Sequence, residues 1–173
     1  MLHALQALLL LVFPALVIIA ALKDVTSYTI PNWISAALIL GLPVAAFSLG
    51  LPLGVIGQQF GLGLVALVAG MAMFALGWIG GGDAKLFAAA GLWLGWPASL
   101  SFLVVTGIGG GVLAVALLAL RSLWLRPYVL NGPTWFGRLA TPGENVPYGL
   151  AIAVGALFAF PGSALMQAFS LVH

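Results

Sequence analysis

Charged residues occur at only three places in this 173-residue sequence, and long uncharged runs separate them. Hydrophobic residues form 64% of the chain and charged residues 5%, whereas a soluble globular domain carries roughly 25% charged residues. The runs have the length of membrane helices, so the sequence predicts an integral membrane protein. The three charged places are Lys23-Asp24, Asp83 with Lys85, and the segment from Arg121 to Glu144.

The apolar runs and the turn signals between them predict one all-α domain over residues 1–173, built as a bundle of six transmembrane helices. Gly95-Trp96-Pro97 divides the uncharged run from Leu86 to Leu120, which is too long for one span of ~20 residues. The expected helices are Leu2–Leu22, Pro31–Leu49, Gly54–Trp78, Ala84–Leu94, Ala98–Leu120 and Tyr148–Phe169, the last bent at Pro161-Gly162.

The distribution of charge gives this arrangement an orientation. With six spans, the charged places follow helices 1, 3 and 5, so every charged residue lies on one side of the membrane. The positive-inside rule makes that side the cytoplasm. We therefore expect both termini outside, and Gln58 and Gln59 at the headgroups of the opposite face. Among the glycines with GxxxG spacing, the pairs Gly57/Gly61, Gly91/Gly95 and Gly107/Gly111 are expected to mark packing inside the bundle.

The composition excludes several kinds of chemistry. The chain has no cysteine, which removes thiol catalysis and cysteine-bound metals. Its two histidines, His3 and His173, lie at opposite ends, so neither a histidine metal site nor a usual serine triad has its parts. We expect no cofactor and no metal. The net charge of +2 is too small to indicate nucleic acid as a partner.

Two aspartates are the strongest candidates for chemistry. Asp24 and Asp83 are the only ones, and the six-helix arrangement puts both at the cytoplasmic boundary of the membrane. Two carboxylates a few ångströms apart cannot both ionise easily, so the pair can serve as general base and general acid toward an amide bond. Gly80, Gly81 and Gly82 precede Asp83 and would let another chain approach closely.

Simpler interpretations exist for each of these residues. Asp24 beside Lys23 is also the pattern of a juxtamembrane ion pair, which contributes little. Asp83 after glycine also fits a helix N-cap. Lys85 also fits an anchor that reaches the headgroups, and Glu144 a solvated loop charge. The two acids together would also suit a small transporter or proton channel.

Three motifs carry a resemblance to a known family. Gly80-Gly81-Gly82-Asp83 matches the GxGD signature of intramembrane-type aspartyl proteases. Lys23-Asp24 followed by Ile30-Pro31-Asn32-Trp33 resembles the first-aspartate region of the type IV prepilin peptidases, and Gly82-Asp83-Ala84-Lys85-Leu86 their second. The run from Pro147-Tyr148-Gly149 to Leu157 resembles their last-helix signature. Preflagellin-type and presenilin-like enzymes share GxGD but fit the other two motifs less well.

The resemblance implies a function and a set of roles. Asp24 and Asp83 would be catalytic, in a bacterial inner-membrane enzyme that cleaves the leader of a prepilin on the cytoplasmic side. Substrate-binding or motif positions would be Gly80, Gly81, Gly82, Lys85, Pro31, Asn32, Pro147, Tyr148 and Gly149. The short chain is most similar to the CpaA/TadV-like branch, which serves Flp-type pili. Because it opens on helix 1 and lacks cysteine, we expect no accompanying methyltransferase activity.

The substrate would carry a basic leader and an apolar N-terminal helix lying beside helices 1 and 4. Arg121, Arg126 and Arg138 have the wrong sign for a basic leader, so we assign them to anionic lipid or to orientation. Glu144 is a weaker candidate for contacting the leader. A non-catalytic subunit of a pilus assembly is the remaining alternative.

Overall fold

The computed structural model describes residues 2–122, 137, 139, 141 and 145–171, and every regular element in this part is helical. The all-α prediction is therefore confirmed here. A three-residue 3-10 turn, Phe160–Gly162, separates the last two helices, as the predicted bend at Pro161-Gly162 requires. The helices are α1 Leu2–Ser27, α2 Asn32–Ser48, α3 Leu53–Ala75, α4 Gly81–Leu94, α5 Ala98–Leu120, α6 Tyr148–Ala159 and α7 Ala164–Leu171.

Within the residues that the structure describes, four stretches of helix are long and apolar enough to cross a membrane. They are α1, α3, α5 and the 24-residue unit formed by α6 and α7. Helix α2 is apolar but has 17 residues, and α4 has 14, so both are shorter than the ~20 residues of a usual span. Insertion into a membrane follows from these lengths and the many exposed apolar side chains. Six spans remain a prediction.

Helix α4 lies at the centre of the bundle. Eleven of its fourteen residues are buried, and it packs against α1, α2, α3, α5 and α6. A helix that is apolar all round belongs in such a position. Trp93 fixes its far end, because its indole Nε1 donates a 2.7 Å hydrogen bond to the Leu38 carbonyl and its ring stacks on Phe13 at 5.2 Å. The first turn of this buried helix carries Asp83.

The described charged residues lie at one end of the bundle, which we call the polar end. The end of α1 meets the start of α6 there, and the start of α2 meets the start of α4. The five charged residues among those described are Lys23, Asp24, Asp83, Lys85 and Arg121. Arg126, Arg138 and Glu144 lie outside the described residues, and so does His173.

Helix α1 is longer than the sequence predicts, and this changes the position of Asp24. We expected the helix to end at Leu22, but it continues to Ser27. The hydroxyls of Thr26 and Ser27 donate to the carbonyls of Leu22 and Lys23, one turn earlier. Tyr28 then ends the helix in the left-handed region, with φ of 54°. Asp24 is therefore held by a helix, not by a connecting loop.

Further expectations from the sequence are wrong. Gln59 is buried, with its Nε2 donating 3.5 Å to the Trp93 carbonyl, so it does not reach the headgroups. Helix α3 stops at Ala75, before the expected end at Trp78, because Gly77 takes a left-handed φ of 74°.

Of the glycine pairs, only Gly91/Gly95 lies against neighbouring helices. A Cβ on any member of Gly57/Gly61 or Gly107/Gly111 would meet nothing within 4 Å, so these two pairs do not mark internal packing.

Candidate active site

A cavity of about 180 Å³ at the polar end contains both aspartates. Asp24 comes from the last turns of α1 and Asp83 from the first turn of α4, and each side chain is about 5% exposed. The third charged place in the described residues, Arg121, is not part of it. Besides the two acids, the cavity is lined by Tyr28, Thr29, Ile30, Asn32 and Gly80–Gly82.

Asp83 occupies the third position of α4, and Gly80 is the N-cap. Its Oδ2 atom reaches back and accepts a 3.0 Å hydrogen bond from the Gly80 N–H, which the helix leaves unpaired. The positive end of the helix dipole favours negative charge at this position. Asp83 is therefore not the N-cap residue itself. It is the third residue of the helix, and its side chain accepts a hydrogen bond from the N-cap residue Gly80. Its other oxygen, Oδ1, is buried and has no hydrogen-bond partner among the described residues.

Asp24 is held by the first turn of α6. Its Oδ2 atom accepts a 2.7 Å hydrogen bond from the backbone N–H of Gly149. A helix N-terminus offers unpaired N–H groups and a partial positive charge, so it is a suitable partner for a buried carboxylate. Pro147 is the N-cap of α6, and the Tyr148 ring packs on Gly110 of α5, which fixes where the helix begins.

The two carboxyl groups line the same cavity and are close enough to influence each other electrostatically. Within the described residues neither one forms an ion pair, so Asp24 is not neutralised by Lys23. Burying two unpaired carboxylates is costly, and a proton held between them removes most of that cost. The arrangement can therefore hold one proton across two carboxyl groups and exchange it with a molecule in the cavity.

Two glycines permit the close approach of backbone at the cavity. A Cβ on Gly149 would lie 2.8 Å from Oδ2 of Asp24, and one on Gly82 would lie 3.1 Å from Cβ of Ile30. Gly81 is different, because a Cβ there would meet only the Phe74 ring, at 3.6 Å. Positive φ values are absent at Gly80, Gly81 and Gly82, so these residues supply space and not a special turn.

Lys85 and Asn32 form a bridge beside the cavity. The Lys85 ammonium donates a 2.8 Å hydrogen bond to Oδ1 of Asn32, which joins α4 to α2. Lys85 is therefore more specifically placed than a headgroup anchor. Pro31 precedes Asn32 as the N-cap of α2 in an extended conformation, and it sets the direction in which this helix leaves the cavity.

Sequence reasoning missed two contributions to this region. Tyr28 and Thr29 line the cavity, and their position between Asp24 and the motif Ile30-Pro31-Asn32-Trp33 was the available signal. Arg121, at the end of α5, bonds to the segment that precedes α6. Its Nε donates a 3.0 Å hydrogen bond to the Leu139 carbonyl, and its Nη2 donates a 3.1 Å hydrogen bond to the Asn145 carbonyl. No sequence pattern pointed to these carbonyls.

The fold and the site together define a class: a helical membrane protein that buries two facing carboxylates at one end of its bundle. Comparison with family models then matches residues 11–115 to the type IV leader peptidase family. The chain belongs to this family. The matched residues include both aspartates, while α6 lies beyond them. Comparisons with curated proteins and with solved structures gave no match.

Proposed function

We propose that this protein is an aspartyl endopeptidase that removes the leader peptide of type IV, Flp-like prepilins at the cytoplasmic face of the inner membrane. The family match supports leader-peptidase activity in general. One observation carries the specific mechanism. Asp24 and Asp83, far apart in the sequence, line one cavity, and neither forms an ion pair within the described part of the chain.

The pair would act as a base and an acid in the same step. The ionised carboxyl group takes a proton from water as the water oxygen bonds to the scissile carbonyl carbon. The protonated carboxyl group gives its proton to the leaving nitrogen as the C–N bond breaks. The pair ends with one proton, as it began. Hydrogen bonds from Gly80 and Gly149 hold one oxygen of each acid and leave the others for water and substrate.

The shape of the cavity favours an extended peptide segment over a folded one. Its glycine wall lacks side chains, so a substrate backbone could approach Asp83 closely. A scissile bond at the polar end would place the leader in the cytoplasm and the following apolar helix in the bilayer. The described residues offer this site no metal ligand set, and the reaction proposed here uses none.

The direct test uses purified protein in detergent or liposomes with a synthetic prepilin that carries its leader and apolar helix. Mass determination of the products should give a single cut at the end of the leader. The control substrate has the same composition with the leader and scissile segment scrambled. A folded protein that leaves the prepilin intact, yet conducts protons across liposomes in an Asp24-dependent manner, would instead establish the channel alternative.

A further inference from the structure

An apolar groove of about 470 Å³ runs along the side of the bundle, next to the carboxylate cavity. Helices α2 and α3 form its walls and α4 its floor. Both walls pack against α4, but they have at most marginal contact with each other, so the groove stays open toward the surrounding lipid. Its lining is almost entirely apolar. The only charged side chain on it is Lys85.

The lining has the periodicity of a helix on all three sides. On α2 it begins at Asn32 and ends at Ile39, with Ser35 and Ala36 between them. These positions follow the spacing i, i+3, i+4, i+7, which is one face of an α-helix. The same spacing runs from Lys85 to Leu92 on α4 and from Phe60 to Leu67 on α3. Each stripe rises about 10 Å along its axis.

The groove adjoins the cavity that holds the aspartates. Asn32 lines both spaces, and its hydrogen bond to Lys85 stands at their junction. Asn32 and Lys85 lie at this junction, and apart from Ser35 the lining beyond it is apolar. A segment that fits both spaces must therefore be polar and extended at the carboxylates and apolar beyond them.

We propose that the groove between α2 and α3 receives the apolar N-terminal helix of the prepilin while the scissile segment lies in the carboxylate cavity. This inference rests on the proposed function and extends it to the substrate's membrane segment. It also moves that segment from the position expected from the sequence, beside helices 1 and 4, to the opening between α2 and α3 over α4. The volume suits the side chains of one helix face, with the rest of the substrate helix facing lipid.

The groove can be tested by narrowing it. Ala36 is exposed on the α2 wall, so Ala36→Trp fills the groove without entering the core. Ala119 is an exposed alanine of α5 outside the groove, and Ala119→Trp is the matched control. The substrates are a prepilin peptide with its apolar helix and one truncated after the scissile segment. The preference for the long peptide is the ratio of its kcat/KM to that of the truncated one. Ala36→Trp should lower this ratio about tenfold or more, mainly by raising KM for the long peptide. Ala119→Trp should leave the ratio unchanged.

Crosslinking gives a second measurement that does not depend on turnover. Because the chain has no cysteine, single cysteines can be introduced without a background. Leu64 on the groove wall and Val115 on α5 both have exposed side chains, so Leu64→Cys and Val115→Cys are the two variants. Each is combined with Asp83→Asn and offered a prepilin with one cysteine in its apolar helix. Crosslinks should form at Leu64→Cys, be competed by unlabelled prepilin, and be much weaker at Val115→Cys.

The outcomes distinguish failure of the groove proposal from failure of the proposed peptidase function. If wild-type protein cleaves the prepilin but Ala36→Trp behaves as Ala119→Trp, the groove does not hold the substrate helix and is left to lipid. Equal crosslinking at both cysteines, or none at Leu64→Cys, overturns the inference as well. If wild-type protein cleaves nothing, the proposed function fails, and competed crosslinking at Leu64→Cys still decides whether the groove binds this helix.

Discussion

The backbone N–H of Gly149 donates a 2.7 Å hydrogen bond to Oδ2 of Asp24, across 125 residues of sequence. This contact joins the first turn of α6 to the last turns of α1, beside the cavity that Asp24 lines. The absence of a side chain at Gly149 makes it possible, because a Cβ would lie 2.8 Å from the same oxygen and 3.0 Å from Cδ1 of Ile30.

The first prediction concerns this glycine. Gly149→Ala should lower the rate of leader cleavage on the order of 10²-fold, because the added methyl group displaces Asp24 from its position opposite Asp83. Gly107→Ala is the matched control, since a Cβ on Gly107 of α5 would meet nothing within 4 Å. Cleavage rates of the two variants at equal membrane content provide the measurement. Equal rates would mean that the Gly149–Asp24 approach is not important for the reaction.

The second prediction concerns Arg121. It donates to the carbonyls of Leu139 and Asn145, so it connects the end of α5 with the segment that leads into α6. Arg121→Gln should increase hydrogen exchange and protease sensitivity at residues 145–150 and lower activity as a consequence. Arg121→Lys keeps the charge but cannot reach two carbonyls with one planar group. Full rescue by lysine would instead support the lipid-contact role expected from the sequence.

The third prediction concerns stability at the far end of α4. Trp93→Phe removes the hydrogen bond to the Leu38 carbonyl and leaves space beside Phe13. The free energy of unfolding should fall by about 2 kcal/mol, from the lost bond and the cavity together. Thermal unfolding in detergent measures this, with Trp78→Phe as the control, because the Trp78 side chain is 65% exposed. An equal loss in both variants would contradict a special role for Trp93.

The fourth prediction concerns orientation. The polar end should face the cytoplasm and the opposite end the periplasm, as the positive-inside rule requires. The cysteine-free chain allows a direct measurement with a membrane-impermeant maleimide on whole cells. Leu53→Cys at the start of α3 should react from outside, and Thr29→Cys only after the cells are permeabilised; both positions are exposed. Labelling of Thr29→Cys in intact cells would reverse the orientation and the proposed cleavage side.

The meeting of Asp24 and Asp83 could be predicted from the sequence because it follows from helix order alone. Helices that alternate in direction bring the end of α1 and the start of α4 to the same end of the bundle. The family motifs then marked Gly149 as belonging to the same region. The sequence could not show that a backbone N–H, not a side chain, completes the site, because that contact depends on how closely α6 approaches α1.

The errors have a common physical origin in tertiary contacts. Gln59 near a helix start suggests a headgroup contact, but the short α4 ends inside the bundle and presents the Trp93 carbonyl to it. The polar run after Leu22 suggests a loop, but the Thr26 and Ser27 hydroxyls bond to the preceding turn and continue the helix. The groove is similar, since it exists because α2 and α3 pack on α4 without closing over it.

The final prediction concerns the aspartates themselves. Asp24→Asn and Asp83→Asn should each abolish prepilin cleavage while expression and membrane insertion stay intact, because asparagine keeps the shape of the side chain but cannot exchange the proton. The double variant should be no worse than either single one, since residues that act as a unit are not additive. The wild-type rate should follow a bell-shaped pH profile that reports the ionisations of the pair.

Weakening the Gly80–Asp83 hydrogen bond would by itself cost only about 1 kcal/mol of stability, so a purely structural role cannot produce complete inactivity in folded protein. Circular dichroism and detergent-extracted yield verify folding, and mass determination of the prepilin gives the activity. Substantial cleavage by either single asparagine variant would eliminate the two-aspartate mechanism and favour the transport alternative.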